Sequence, residues 1–80
     1  MNYELFQRVA LARDLPEKQL RRGDVATIVD RHPSDGGEPG YSIEVFNALG
    51  ETIAVTAVAE SCLHPLTAND VIHVRSLVEA

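Results

Sequence analysis

Residues 15–29 read LPEKQLRRGDVATIV, and this stretch decides the fold. Pro16 fixes the backbone after an apolar run, because its ring restricts φ and it has no amide hydrogen for a ladder. The glycine–aspartate pair at 23–24 then turns the chain, and a β-branched run begins at Val25. The pattern indicates a connecting loop that leads into the second strand of a small β-barrel.

The rest of the chain supplies further short segments with the period of a strand. We predict strands at residues 6–12, 24–31, 41–46, 52–58 and 71–77, with one helical turn at 59–63. A short helix that begins near Tyr3 is the alternative for the first segment, because Leu5, Val9 and Ala12 also fit helical spacing. Five short strands in so small a chain favour a partly closed antiparallel barrel.

The third strand has the clearest alternation. Tyr41, Ile43 and Val45 are predicted to share one face of it. We expect the last strand to turn Ile72 and Val74 inward in the same way. The core is therefore predicted to extend along nearly the whole chain.

The predicted loops carry their own signals. Residues 33–40 hold three glycines and two prolines, which is typical of an exposed and mobile loop. Gly50 is expected to take a positive φ in the next hairpin. Leu15 and Leu20 flank the first loop and are predicted to anchor it in the core. The uneven pattern of the second strand predicts either a bulge or a strand buried on both faces.

Length and composition limit the class of protein. We interpret residues 1–80 as a single domain, small enough that self-association is expected to add stability. Cys62 is the one cysteine, so the chain can form no internal disulfide. Neither a secretory signal pattern nor an apolar run of about 18 residues occurs, and we expect a cytoplasmic protein.

The charge of −5 is unevenly distributed. Residues 1–31 carry six basic and five acidic side chains, whereas residues 32–80 carry one basic and seven acidic side chains. If the acidic residues share one side, that side attracts a basic partner and repels phosphate. If they are scattered over the surface, they only keep the protein soluble.

The residues that could carry chemistry are sparse. Cys62 and His64 are too close in sequence for the usual zinc patterns, and we interpret Cys62 as a small buried hydrophobic residue. We assign no catalytic residue, no cofactor and no metal site. Four basic residues surround the first loop, but a pI near 5.0 and the absence of tryptophan argue against nucleic-acid binding. These residues are Arg13, Lys18, Arg21 and Arg22.

Several spaced signals together resemble a bacterial family known as domain of unknown function 4926, with a Leu-Pro-Glu motif at residues 15–17. The matching frame continues at Arg22–Val25, Thr27–Val29, Tyr41, Glu44–Val45, Gly50, Leu63, Pro65 and Ile72–Arg75. The resemblance implies an SH3-like barrel, related to the KOW-type barrels. It also implies a small stand-alone protein, with an antitoxin or immunity role suggested by toxin-like or nuclease-like neighbours.

We therefore expect an all-β, five-stranded antiparallel SH3-like barrel with one short helical turn. It is predicted to bind a protein partner, such as a basic toxin or nuclease, without catalysis and without contact to a membrane. The alternatives are a weak nucleic-acid-binding barrel and a small homo-oligomer that pairs edge strands. The residues predicted to face the partner are Glu38, Tyr41, Glu44, Arg21 and Arg22.

Overall fold

The computed structural model describes residues 2–78. Its five strands are β1 (Arg8–Leu11), β2 (Val25–His32), β3 (Gly40–Phe46), β4 (Thr52–Ala59) and β5 (Leu63–Pro65). They form one sheet in the order β4-β3-β2-β1-β5, and every neighbouring pair is antiparallel. Two single 3₁₀ turns, Pro16–Lys18 and Glu60–Cys62, are the helical elements within the described residues.

The predicted all-β class and the five antiparallel strands are confirmed, and the sheet is consistent with a small barrel-like fold. The first segment is a strand and not a helix, and it is shorter than predicted. Val9 and Leu11 of β1 are fully buried, and β1 lies between β2 and β5 in the sheet. Two ladders of hydrogen bonds therefore outweigh the helical spacing of this segment.

The predicted fifth strand is wrong. Residues 71–77 form no strand, and Ile72 and Val74 are 59% and 86% exposed rather than inward. The edge of β1 is instead taken by β5, in which Leu63 lies opposite Leu11. Because β5 pairs with β1, this edge of β1 is not available to residues 71–77.

The core lies under the inner face of the sheet. Its largest fully buried side chains come from β1, β2, β3 and the first loop: Tyr41, Leu11, Leu20, Ile28, Ile43 and Val9. The predicted anchors of the first loop are confirmed, since Leu20 is 2% exposed and Leu15 packs against the core. The backbone amides of Leu15 and Leu20 each donate to the other's carbonyl, which closes the loop on itself.

The predicted irregularities are also present. The register between β2 and β3 shifts between Ile28 and Asp30, so of the two alternatives for β2 the structure shows the bulge. Gly50 has a φ of +83° in the β3–β4 turn, as expected. Residues 31–38 are exposed. No helix within residues 2–78 is long and apolar enough to cross a membrane.

Candidate functional site

β4 and β5 are the two terminal strands of the sheet, and their free edges differ in length and composition. An uncovered edge presents unpaired amide and carbonyl groups to any other extended chain, and proteins usually blunt it with short strands, proline or charge. β5 is three residues long and ends at Pro65, so its edge is protected. β4 is eight residues long, reads TIAVTAVA, and contains no charged residue, proline or glycine.

The outer face of β4 adds apolar surface to this free edge. Ala54 and Val58 turn inward and pack against the core. Ile53 and Val55 turn outward and are 37% and 56% exposed. The sheet thus ends in an extended strand whose edge and outer face are both open to a partner.

The charged residues that neighbour β4 in sequence are all negative. Glu44, Glu51 and Glu60 are the charged residues between positions 40 and 61. Glu44 lies opposite Val55 across the β3–β4 ladder, while Glu51 and Glu60 flank the two ends of β4. An extended segment beside β4 therefore meets three carboxylates and no basic side chain from this part of the chain.

Each of these carboxylates also has a local structural contact. Thr52 Oγ1 donates a hydrogen bond to Glu44 at 2.5 Å, and Asn47 Nδ2 donates one to Glu51 at 2.9 Å. The Glu60 carboxylate accepts one from the Tyr41 hydroxyl at 2.8 Å. These contacts hold the carboxylates close to the strand. The donors to Glu44 and Glu51 are a hydroxyl and a side-chain amide, both neutral, so they do not neutralise these two charges.

The structure corrects the prediction for Tyr41, which is 1% exposed and belongs to the core. Its hydroxyl accepts a hydrogen bond from the Tyr3 amide at 3.1 Å, and the two rings meet edge to face with centroids 5.3 Å apart. Burial raises the pKa of Tyr41, and its hydrogen bond to the Glu60 carboxylate adds to the rise. Tyr41 therefore fastens the N-terminal segment and the second 3₁₀ turn, and its ring is not available to a partner.

Glu38 lies at the end of the long β2–β3 loop and is exposed. Its carboxylate accepts hydrogen bonds from the Ser61 amide at 2.7 Å and the Ser61 hydroxyl at 3.2 Å. The Glu60 amide donates to the Pro39 carbonyl beside it at 2.9 Å. Glu38 thus ties this loop to the 3₁₀ turn that follows β4.

Arg21 and Arg22 lie in the loop before β2, and both are exposed. Their backbone amides donate to acidic side chains of the same loop, Arg21 to Asp24 and Arg22 to Asp14, each at 2.8 Å. The five predicted residues are therefore spread over separate elements. Glu38 lies in the β2–β3 loop, Tyr41 and Glu44 lie on β3, and the two arginines lie in the loop before β2.

Sequence reasoning missed one long-range pair, Arg75 with Asp24. Arg75 Nε donates to Asp24 Oδ1 at 2.8 Å, Nη2 donates to Oδ2, and Nη2 also donates to the Gln19 carbonyl at 3.1 Å. Burial alone would raise the pKa of Asp24, but the hydrogen bonds from Arg75 and the Arg21 amide lower it by more, so the pKa is below its ordinary value of 3.8. The pair holds residues 66–78, here called the tail, against the first loop.

The groups weighed for metal or nucleophilic chemistry do not converge. Within residues 2–78, no three histidine, cysteine or acidic side chains form a group that could hold a metal ion. Cys62 is half-buried in the second 3₁₀ turn rather than fully buried. His64 Nδ1 lies 3.2 Å from the Pro65 carbonyl oxygen.

The fold and this edge define a small all-β protein with one protected and one open end of its sheet. The family model described as "Domain of unknown function (DUF4926)" matches residues 5–65, and the chain belongs to this family. The match ends with β5, so the tail lies beyond it. No curated protein and no solved structure gave a significant match.

Proposed function

We propose that this protein is a non-catalytic binding module that accepts an extended segment of a partner protein along the free edge of β4. The observation that carries the proposal is the strand itself, eight uncharged residues at the end of the sheet with Ile53 and Val55 exposed. Addition of a strand from another chain satisfies the unpaired backbone groups of such an edge and gives affinity through main-chain hydrogen bonds.

The charges around β4 define the chemistry of the partner. Glu44 lies opposite Val55 and Glu51 directly precedes the strand, so a segment that alternates apolar and basic side chains fits best. A cationic toxin or nuclease that this chain inhibits in the cytoplasm, as an antitoxin or immunity protein, is the kind of partner we propose.

The same charges argue against a pair of β4 strands from two copies of this chain. Full-length antiparallel pairing of two β4 strands would place Glu51 of one copy opposite Glu60 of the other, at both ends of the pair. Like charges placed directly opposite each other destabilise a sheet. A foreign basic segment is therefore favoured over self-association.

The direct test uses a blocked peptide as long as β4 that alternates valine and lysine. Binding is measured by fluorescence anisotropy at low salt, against a glutamate-for-lysine analogue and an analogue with proline at its centre. We expect only the valine–lysine peptide to bind. Val55→Lys should weaken binding, because it places a like charge beside the peptide on the edge strand.

Reversing the charge of one glutamate shows whether the peptide binds beside β4 or is attracted only by the net charge of the protein. Glu51→Lys should weaken binding roughly three- to tenfold, since a favourable contact becomes a repulsion. Glu17→Lys is the matched control, because Glu17 is an exposed residue of the first 3₁₀ turn and carries the same change of charge. Equal weakening by both variants, or tighter binding of RNA than of the peptide, would refute the proposal.

A further inference from the structure

A hollow of about 610 Å³ opens beside the start of β4. Its walls come partly from the β3–β4 hairpin and partly from the tail. Its lining includes the large apolar residues Phe46, Leu49 and Ile53 on the hairpin side and Ile72, Val74 and Leu77 on the tail side. All six are among the large hydrophobic residues that remain exposed, and such clustered exposure marks an interaction site.

A bulge in β4 positions one of these side chains. The β3–β4 register passes from Val45 opposite Ala54 to Phe46 opposite Thr52, which leaves Ile53 without a direct partner. An unpaired residue of this kind bends the strand and re-aims its own side chain. Ile53 consequently lines the hollow while it remains part of the free edge strand.

Hydrogen bonds from Arg75 hold the tail side of the hollow in place. Arg75 binds both carboxylate oxygens of Asp24 and the Gln19 carbonyl, and Ile72, Val74 and Leu77 lie within three residues of it. A wall that is ordered before binding reduces the entropy lost when a ligand enters.

We propose that the hollow receives one large aliphatic side chain of the strand that pairs with β4, at the end of that strand level with Ile53. The inference rests on the proposed function and specifies its partner. The basic side chains of the segment lie along β4 near Glu44 and Glu51. Arg8 also lines the hollow, and the Asp24 carboxylate in its lining is bound by Arg75. A basic side chain is therefore disfavoured there and an aliphatic one is accepted.

The test compares four peptides built on the valine–lysine probe, with leucine or glycine added at the N-terminus or at the C-terminus. One of the two leucine peptides should bind about tenfold more tightly than its glycine counterpart, because the added side chain becomes buried. The end that shows the gain also reports whether the bound strand runs parallel or antiparallel to β4.

Two variants of the full chain test whether the tighter binding of the leucine peptide comes from the hollow. Ile72→Asp should abolish the leucine advantage and leave the affinity for the glycine peptide unchanged. Val71→Asp is the matched control, since Val71 is 89% exposed and does not line the hollow. It should keep the full advantage, and circular dichroism checks that both variants are folded.

The outcomes separate the two proposals. If the glycine peptides bind and leucine adds nothing, or if Ile72→Asp retains the advantage, the anchor is refuted and the β4 site stands. If none of the four peptides binds, the β4 site and the anchor are both refuted.

Discussion

Arg75 and Asp24 form a two-point ion pair across 51 residues of sequence, with Nε donating to Oδ1 at 2.8 Å and Nη2 donating to Oδ2. Asp24 belongs to the turn before β2, and Arg75 belongs to the tail after β5. The pair therefore joins the family-matched part of the chain to the segment beyond it. Planar two-point contacts of this kind fix orientation as well as distance.

Loss of this pair should lower stability in a pH-dependent way. We expect Arg75→Ala to reduce the free energy of unfolding by about 1 kcal/mol at neutral pH, a value discounted for partial exposure. The folded-state pKa of Asp24 is lowered, so the stabilisation is present above the ordinary pKa of 3.8 and is lost as the pH falls through the lowered value. Urea denaturation of both proteins at neutral and acidic pH measures the difference.

Arg13→Ala is the control for that experiment, because Arg13 is an exposed arginine at the start of the first loop. Its stability should equal that of the wild type at both pH values. A difference between Arg75→Ala and wild type that persists unchanged in acid would contradict the ion-pair explanation.

The buried hydroxyl of Tyr41 gives a second prediction. Tyr41→Phe removes a group that accepts from the Tyr3 amide and donates to Glu60. We expect a loss of about 1–3 kcal/mol, because a buried amide is left without a partner. A double-mutant cycle with Glu60→Gln, measured by urea denaturation, should show coupling between the two positions, and strict additivity would show that the hydrogen bond does not contribute.

Two isoleucines allow the contributions of the inner and outer faces of the sheet to stability to be compared. Ile43 is fully buried, whereas Ile53 is 37% exposed on the neighbouring strand. Ile43→Ala should lower stability by about 2–5 kcal/mol and Ile53→Ala by about 1 kcal/mol or less. Chemical denaturation of the pair checks this, and comparable losses would mean that the outward face of β4 is covered.

The β3–β4 turn depends on the left-handed backbone of Gly50. Its φ is +83°, and nothing lies within 4 Å of a Cβ added there, so a substitution strains the backbone without a steric clash. Gly50→Ala should cost about 1 kcal/mol, and Gly50→Asn should cost less, because asparagine tolerates this region better. Thermal unfolding of both variants measures the order, and equal melting temperatures would exclude backbone strain as the cause.

The parts of the fold that could be predicted from sequence are those with local causes. The alternation of Tyr41, Ile43 and Val45 sets the inner face of β3, and Gly50 sets the turn that follows it. The bulge after Ile28 likewise shows in the uneven pattern of β2. Each of these signals lies within a few residues of the structure that it specifies.

The errors involve competition between distant segments. Residues 71–77 alternate like a strand, but β5 occupies the available edge of β1, and no local pattern reports which segment wins. The pair of Arg75 with Asp24 could not be predicted either, since no local signal links two residues that lie 51 positions apart. The uncharged run of β4 between Glu51 and Glu60 can be read directly, but its place at the end of the sheet depends on the strand order.

The most direct measurement of the central claim is amide hydrogen exchange along β4, followed by NMR in the free protein and with the valine–lysine peptide. In an edge strand with one antiparallel neighbour, alternate amides point away from that neighbour. Our account predicts that alternate amides between Thr52 and Ala59 exchange rapidly in the free protein and become protected when the peptide binds. Protection of every β4 amide in the free protein, or peptide binding that leaves their exchange unchanged, would contradict it.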